Sequence, residues 1–247
     1  MTAAFAGKSV LITGGGTGVG ADMARAFAAA GARVMIGGRR EAPLRAVADG
    51  HERIDWTSCD VTQPADVKAL FDAAGEVDIA IANAGQADSN PLVRVEPEEW
   101  ARLIGVNLTG VYHTYREAAL RMETGGRIIS VASMAGLTGL AYAAPYTAAK
   151  HGVVGLTRAL ALELAPREIT VNAICPGYLD TELTDGSVAK ISAKTGMSED
   201  AARAVLADHN PMKRLIRADE VTSAALWLAS PGASSVNGQA IAITGGG

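Results

Sequence analysis

Short apolar runs rich in Val and Ile recur along the chain, separated by longer Ala-rich segments whose apolar positions repeat with helical period. The runs Ser9–Thr13, Arg33–Ile36, Ile54–Cys59, Val77–Ala82, Arg127–Ala132, Ile169–Ile174 and Ala240–Thr244 are the expected strands. Their apolar residues are near-continuous rather than alternating, the pattern of strands covered on both faces. Val19–Ala30, Ala42–Ala48, Gln63–Ala74, Glu98–Met122, Tyr146–Leu164 and Asp219–Leu228 are the expected helices. Gly31 stands where the first helix needs a C-terminal glycine, and Pro64 and Pro97 suit first-turn positions. Strands alternating with helices build right-handed crossovers, so the expected fold class is α/β, a doubly wound parallel sheet. No linker-like run of Pro, Ser or charge interrupts the 247 residues, so a single domain spanning 1–247 is expected. Ligands of such sheets bind beyond the carboxyl ends of the strands, at the topological switch point.

Composition narrows the partners. Hydrophobic residues make up 49% of the chain, enough for a sizeable core. The formal net charge is −4 with no basic run, so no nucleic-acid partner is expected. Cys59 and Cys175 lie far apart, without metal-ligand spacing or a disulfide framework, which suits a reducing, cytoplasmic setting. Residues 1–8 lack signal-peptide features, and no apolar window is long enough for a membrane span. His51, His113, His151 and His209 show no paired ligand spacing, so no metal is expected.

The first expected strand runs into Thr13-Gly14-Gly15-Gly16-Thr17-Gly18-Val19-Gly20 and then a helix. Glycines there permit a tight turn and close backbone approach to a pyrophosphate, and a helix N-terminus offers free N–H groups to that anion. Gly14, Gly18 and Gly20 are spaced with three residues between the first two, unlike the common dinucleotide fingerprint. Farther on, Tyr146 and Lys150 are separated by four, which puts both on one helix face. A tyrosine titrates near ~10, and a neighbouring ammonium favours the phenolate, so the pair reads as a general acid/base.

The Thr-Gly-x-x-x-Gly-x-Gly turn followed by Tyr-x-x-x-Lys resembles the short-chain dehydrogenase/reductase family. The resemblance implies a Rossmann fold and an NAD(P)-dependent oxidoreductase moving a hydride between nicotinamide and a small carbonyl or alcohol. It also implies a catalytic set of Asn107, Ser133, Tyr146 and Lys150. Ser133, at the end of its strand, would hydrogen-bond the substrate oxygen; Asn107 would hold a water that relays protons; and Lys150 would also bond the nicotinamide ribose. The same resemblance, extending over nearly the whole chain, assigns cofactor contacts to Gly14, Thr17, Gly18, Val19, Gly20, Asp60, Val61, Asn83, Gly85, Pro176, Gly177 and Thr181. Asn83-Ala84-Gly85 keeps the last three residues of the family's Asn-Asn-Ala-Gly, with Ala82 in place of the first Asn. Asn210-Pro211 and Ile243 to Gly247 resemble the closing motifs, with Thr244 where Asp is usual.

The second strand ends in Gly37-Gly38-Arg39-Arg40, without the acid that NAD-preferring members place there. Arg39, with Arg40 assisting, could pair with a 2′-phosphate, so NADP(H) is favoured and NAD(H) stays open. Tyr178–Asn210 reads as a helical substrate lid with hinges near Gly177, Gly186 and Gly196. Leu137, Leu140, Tyr142 and Tyr178 are expected in an apolar pocket, and Arg121 and Arg167 could meet an acidic carrier protein. A 3-oxoacyl thioester or related ketone is the first-ranked substrate. A cyclic, sugar or steroid-like alcohol dehydrogenase of the same family is the alternative, and a non-catalytic nucleotide sensor is the reading from another class. The resemblance further implies a homotetramer built on the helices containing Asn107 and Tyr146, although Leu156, Leu160 and Leu164 could equally be core.

Overall fold

A computed structural model describes residues 4–246; Gly247, the last residue of the closing motif, lies outside them. Seven parallel strands form one sheet in the order β3-β2-β1-β4-β5-β6-β7. They are β1 (Ser9–Thr13), β2 (Arg33–Gly38), β3 (Ile54–Ser58), β4 (Ile79–Ala82), β5 (Arg127–Val131), β6 (Thr170–Pro176) and β7 (Ala240–Ile243). Every expected run is a strand. β2 and β6 each run two residues farther than expected, to Gly38 and Pro176. At Gly37 the reason is steric: a Cβ there would lie 2.6 Å from Leu70, so only glycine lets the strand continue beneath α3 (Pro64–Ala74).

Residues of β1, β4 and β6 are buried throughout, as strands covered on both faces must be. Alternate side chains feed two cores. Val10 and Ile12 pack with Phe27 of α1 (Gly18–Ala29), Leu44 of α2 (Glu41–Ala48) and Leu228 of α9 (Ala218–Ala229). Leu11 points the other way, into a cluster with Phe71 of α3, Tyr115 of α5 (Gly110–Arg121) and Val153 of α6 (Ala144–Leu164).

The segment expected as one helix over Glu98–Met122 is continuous but not uniform. It begins as α4 (Pro97–Ile104), widens into a π turn over Gly105–Thr109, and resumes as α5. Asn107 explains the widening. Its Nδ2 donates to the Leu103 carbonyl at 3.0 Å, the acceptor its own backbone N–H would take in α geometry.

The lid segment folds as a hairpin of α7 (Glu182–Thr195) and α8 (Glu199–His209) around Val188, Ala202 and Leu206. Gly196 ends α7 in the left-handed conformation, as a helix-terminating glycine should. Gly186 lies inside α7 rather than at one of its ends. The return of the lid is pinned by Asn210, which accepts from the Tyr178 N–H at 3.0 Å and donates to the Tyr178 and Arg214 carbonyls at 2.9 and 2.7 Å. No helix among the described residues is long and apolar enough to cross a membrane.

Candidate active site

Strand order reverses between β1 and β4, and a cleft of about 560 Å³ opens there. Its floor is the glycine turn. Gly14 and Gly18 take positive φ, +68° and +53°, which glycine adopts without strain. The turn carries no side chain to satisfy itself, so neighbours do it. Asn83 Nδ2 donates to the Thr13 and Gly14 carbonyls at 3.1 and 3.0 Å, and Thr13 Oγ1 accepts from the Asn83 and Ala84 N–H groups. The Asn83 side chain therefore braces the turn from below.

At Gly20 a Cβ would stand 2.3 Å from the Gly14 carbonyl oxygen, so its glycine serves packing. It is the one expected cofactor residue that does not line the cleft; Gly14, Thr17, Gly18, Val19, Arg39, Arg40, Asp60, Val61, Asn83, Gly85, Pro176, Gly177 and Thr181 all do. Thr17 caps α1 by position, yet its side chain makes no capping hydrogen bond. The first-turn N–H groups thus face the cleft without a side-chain acceptor, which fits an anionic pyrophosphate. Arg39 makes no hydrogen bond or ion pair among the described residues, while Arg40 lies 3.6 Å from Glu182 across the cleft. One Asp60 oxygen accepts from the Thr62 N–H and hydroxyl at 2.9 and 2.8 Å, which turns the chain after β3. These residues fit a dinucleotide.

Asn107, Ser133, Tyr146 and Lys150 come together at the other end of the same cleft. Ser133 follows β5 and opens a 3₁₀ turn, Met134–Gly136, with Oγ accepting from the Ala135 N–H at 3.1 Å. Gly136 lets that turn lie on α6, since a Cβ would come 2.7 Å from the Lys150 carbonyl oxygen. Tyr146 and Lys150 rise from the first two turns of α6. Lys150 Nζ donates to the Val131 carbonyl at 2.8 Å and lies 5.6 Å from the centre of the Tyr146 ring. Asn107 is fully buried; its Nδ2 donates to the Gln86 carbonyl at 2.8 Å, and its Oδ1 accepts from the Gln86 N–H at 3.1 Å. With its bond to Leu103, both Nδ2 hydrogens of Asn107 are engaged.

The electrostatics differ from the sequence expectation. Burial pushes the Tyr146 phenol above its ordinary value; the Ser133 hydroxyl draws it back only in part, and the nearby Tyr178 and Cys175 push it further up. Burial also pulls the Lys150 ammonium down to about 8, against a smaller upward push from Cys175. Lys150 is not among the groups that lower the phenol: it reaches past the ring to the Val131 carbonyl, and desolvation dominates.

At the substrate end, Leu140 and Tyr178 line the cleft, while Leu137 and Tyr142 do not. Tyr142 is exposed and holds φ at +64°, its carbonyl accepting from the Asn90 N–H at 2.8 Å. Arg167 caps the end of α5 through the Ala119 and Met122 carbonyls, and Arg121 pairs with Asp72 and Glu117. Arg121 precedes β5 and Arg167 precedes β6, so both sit near the amino ends of strands.

The family model described as Enoyl-(Acyl carrier protein) reductase matches residues 14–247. The chain belongs to the short-chain dehydrogenase/reductase family. It is an oxidoreductase of that family, which uses nicotinamide dinucleotides. It is 36% identical to a granaticin polyketide synthase putative ketoacyl reductase of Streptomyces violaceoruber, over 96% of this chain and 91% of that protein. It is 39% identical to a cis-4-hydroxycyclohexanecarboxylate dehydrogenase of Sinomonas cyclohexanicum, over 100% of this chain and 98% of the relative. An actinorhodin polyketide ketoreductase solved with NADPH superposes with a TM-score of 0.92 at 33% identity, covering 100% of this chain and 98% of that one.

Among short-chain dehydrogenase/reductase positions, sequence reasoning missed Gln86, whose backbone Asn107 grips, and Thr13, which joins β1 to β4. The tight contact at Gly20 carries a prediction. Gly20→Ala is expected to displace the glycine turn and weaken NADP(H) binding about tenfold or more, as overpacking costs of about 1–3 kcal/mol imply. Titration of nicotinamide fluorescence measures it, and native affinity would refute the packing role.

Proposed function

We propose that this enzyme reduces a 3-oxoacyl thioester or a related ketone with NADPH, using Tyr146 as the proton donor. The observation that carries the reaction is the buried phenol beside Ser133 in one cleft with an uncapped helix N-terminus. The bound nicotinamide supplies the hydride. Ser133 would hydrogen-bond the carbonyl oxygen and orient it, and the Tyr146 hydroxyl would give its proton to that oxygen as charge develops. A phenol held above its ordinary value keeps its proton through the neutral range, which suits reduction. Lys150, buried and bonded to Val131, would hold the cofactor ribose. A water at Asn107 would relay protons toward the lysine.

The substrate class rests on the lining. Leu140, Ala141, Ala143, Tyr178 and Leu183 make that end apolar, and the cation on hand, Lys150, is already engaged. A neutral ketone or thioester fits better than a free carboxylate. The 39% identity to a cyclic-alcohol dehydrogenase supports a second reading, oxidation of a ring alcohol.

For the cofactor, we infer that Arg39 binds the 2′-phosphate and Arg40 assists once released from Glu182. Both free cysteines are buried and a cytoplasmic setting is proposed with them. A homotetramer is proposed on the apolar residues that α5 and α6 leave exposed: Tyr112, Leu120 at 64% and Leu162 at 80%. Leu164 is buried and Leu156 and Leu160 pack against the core, so those three belong to the fold. Light scattering at four chain masses tests the assembly; a stable monomer would remove it.

Screening NADPH and NADH against 3-oxoacyl thioesters, simple ketones and cyclohexanols tests the substrate class. Tyr146→Phe should lose turnover by about 10²-fold or more while keeping cofactor affinity, the usual scale for a general acid. In the parent, alcohol oxidation should rise with pH as the phenol gives up its proton, and ketone reduction should stay level until that same pH and then fall. A Tyr146→Phe variant of normal activity sinks the mechanism. Arg39→Asp should lower the NADPH-to-NADH ratio of kcat/KM by about tenfold or more, the worth of one charged hydrogen bond. An unchanged ratio would clear Arg39 of that role.

A further inference from the structure

Helix α7 lies over the cleft, which Leu183, Thr184 and Ser187 line from the lid side. Two ion pairs among the described residues join the helix to the body. Glu182 meets Arg40 at 3.6 Å between exposed side chains. Farther along, Lys190 Nζ donates to Asp88 Oδ1 at 2.5 Å, linking the lid to the loop after β4.

Asp88 does more than receive one lysine. Its other oxygen accepts from Arg102 of α4 at 3.0 Å, and the same guanidinium donates to the Gln86 side chain at 2.8 Å. Gln86 is the residue whose backbone Asn107 grips on both sides. The carboxylate thus sits between two cations that would repel each other without it. Partial burial pushes its carboxyl up, yet Lys190, the Ser89 N–H and Arg102 together hold it below the usual carboxylate range. Asp88, Arg102 and Lys190 are absent from the cleft lining, so the chemistry described above does not use them.

The lid can transmit a pull on Lys190 because it is braced internally. Arg203 of α8 donates to Asp180 at 2.6 Å and also to Asp185 of α7, and Val188, Ala202 and Leu206 pack between the two helices. The hairpin is tied to itself, and Lys190 ties it to the body.

We propose that Asp88 is a positioning residue that latches the lid, through Lys190, to the loop clamped by Asn107, so that closure over the carbonyl substrate and seating of the Gln86 segment are one event. It rests on 178–210 acting as a substrate lid. Lys190 and Arg102 are about half exposed, so salt screens the latch.

The test is Lys190→Gln, with Lys190→Arg as the conservative rescue and Asp88→Asn as the reciprocal change. Lys190→Gln is expected to raise KM for the ketone about three- to fivefold with kcat preserved, on the scale of a screened ion pair. Raising salt should lift the parent's KM toward the variant's and leave the variant's flat, while Lys190→Arg keeps the parent's behaviour. NADPH affinity should not change. Hydrogen exchange gives a readout independent of turnover: amides of α7 and of residues 86–90 should exchange faster in Lys190→Gln. Unchanged exchange in α7 overturns the latch whatever the kinetics do. Faster exchange with parental KM overturns the positioning role. Should Asp88→Asn fail to fold, Lys190→Gln, altered at an exposed head group, decides the matter alone.

Discussion

A turn built of glycines has backbone groups to satisfy and no side chains with which to do it. Here Asn83, just past β4, bonds the Thr13 and Gly14 carbonyls, the Gly37 carbonyl takes the Gly14 and Gly15 N–H groups, and the Thr13 hydroxyl holds the Asn83 and Ala84 N–H groups in return. These hydrogen bonds join the tips of β1 and β4, which stay paired up to Thr13 and Ala82, and the cleft opens beyond them. The bare Gly20 completes the arrangement, because α1 starts in van der Waals contact with the Gly14 carbonyl. Cofactor floor and helix N-terminus are held by one polar brace and one missing methyl group at the point where the strand order reverses.

The catalytic end is organised by a similar economy of space. Gly136 lets the turn after β5 rest on the backbone of Lys150, which sets Ser133 against Tyr146. Asn107 disturbs its own helix to reach Gln86, and the π turn is the visible trace of that competition. Burial then sets the chemistry: it favours the neutral phenol on Tyr146 and weakens the charge on Lys150. A phenol buried in this way stays protonated through the neutral range.

Specificity is drawn from the parts of the chain with the weakest sequence signals. The lid packs a small core of its own and is joined to the body at Arg40 and Asp88. Tyr178 stands at its root, its backbone held by Asn210 and Ile216, so the aromatic wall of the cleft stays in place beneath α7.

The strand runs, the crossover fold and the cleft positions of the candidate set were legible in the sequence: Val and Ile clusters of fixed length, a glycine spacing, and a tyrosine and lysine one helical turn apart are local patterns, and the family resemblance added Ser133 and Asn107, which line the same cleft. Cofactor contacts were legible to the extent that they follow strand ends, which is why Arg39 and Asp60 reach the cleft and Tyr142, nearer in sequence to Tyr146, does not. What pattern alone could not decide was where a side chain spends its hydrogen bonds. Asn83 turns under the glycines, Asn107 commits both ends of its amide to Gln86, and Arg121 and Arg167 close α5 and its surroundings far from the cleft. Nor could it decide the direction of the Tyr146 shift, which depends on how much protein surrounds the phenol. Partners of these kinds are brought close by the sheet across tens of residues, and desolvation is a property of the packed molecule; neither is written in the spacing of letters along the chain.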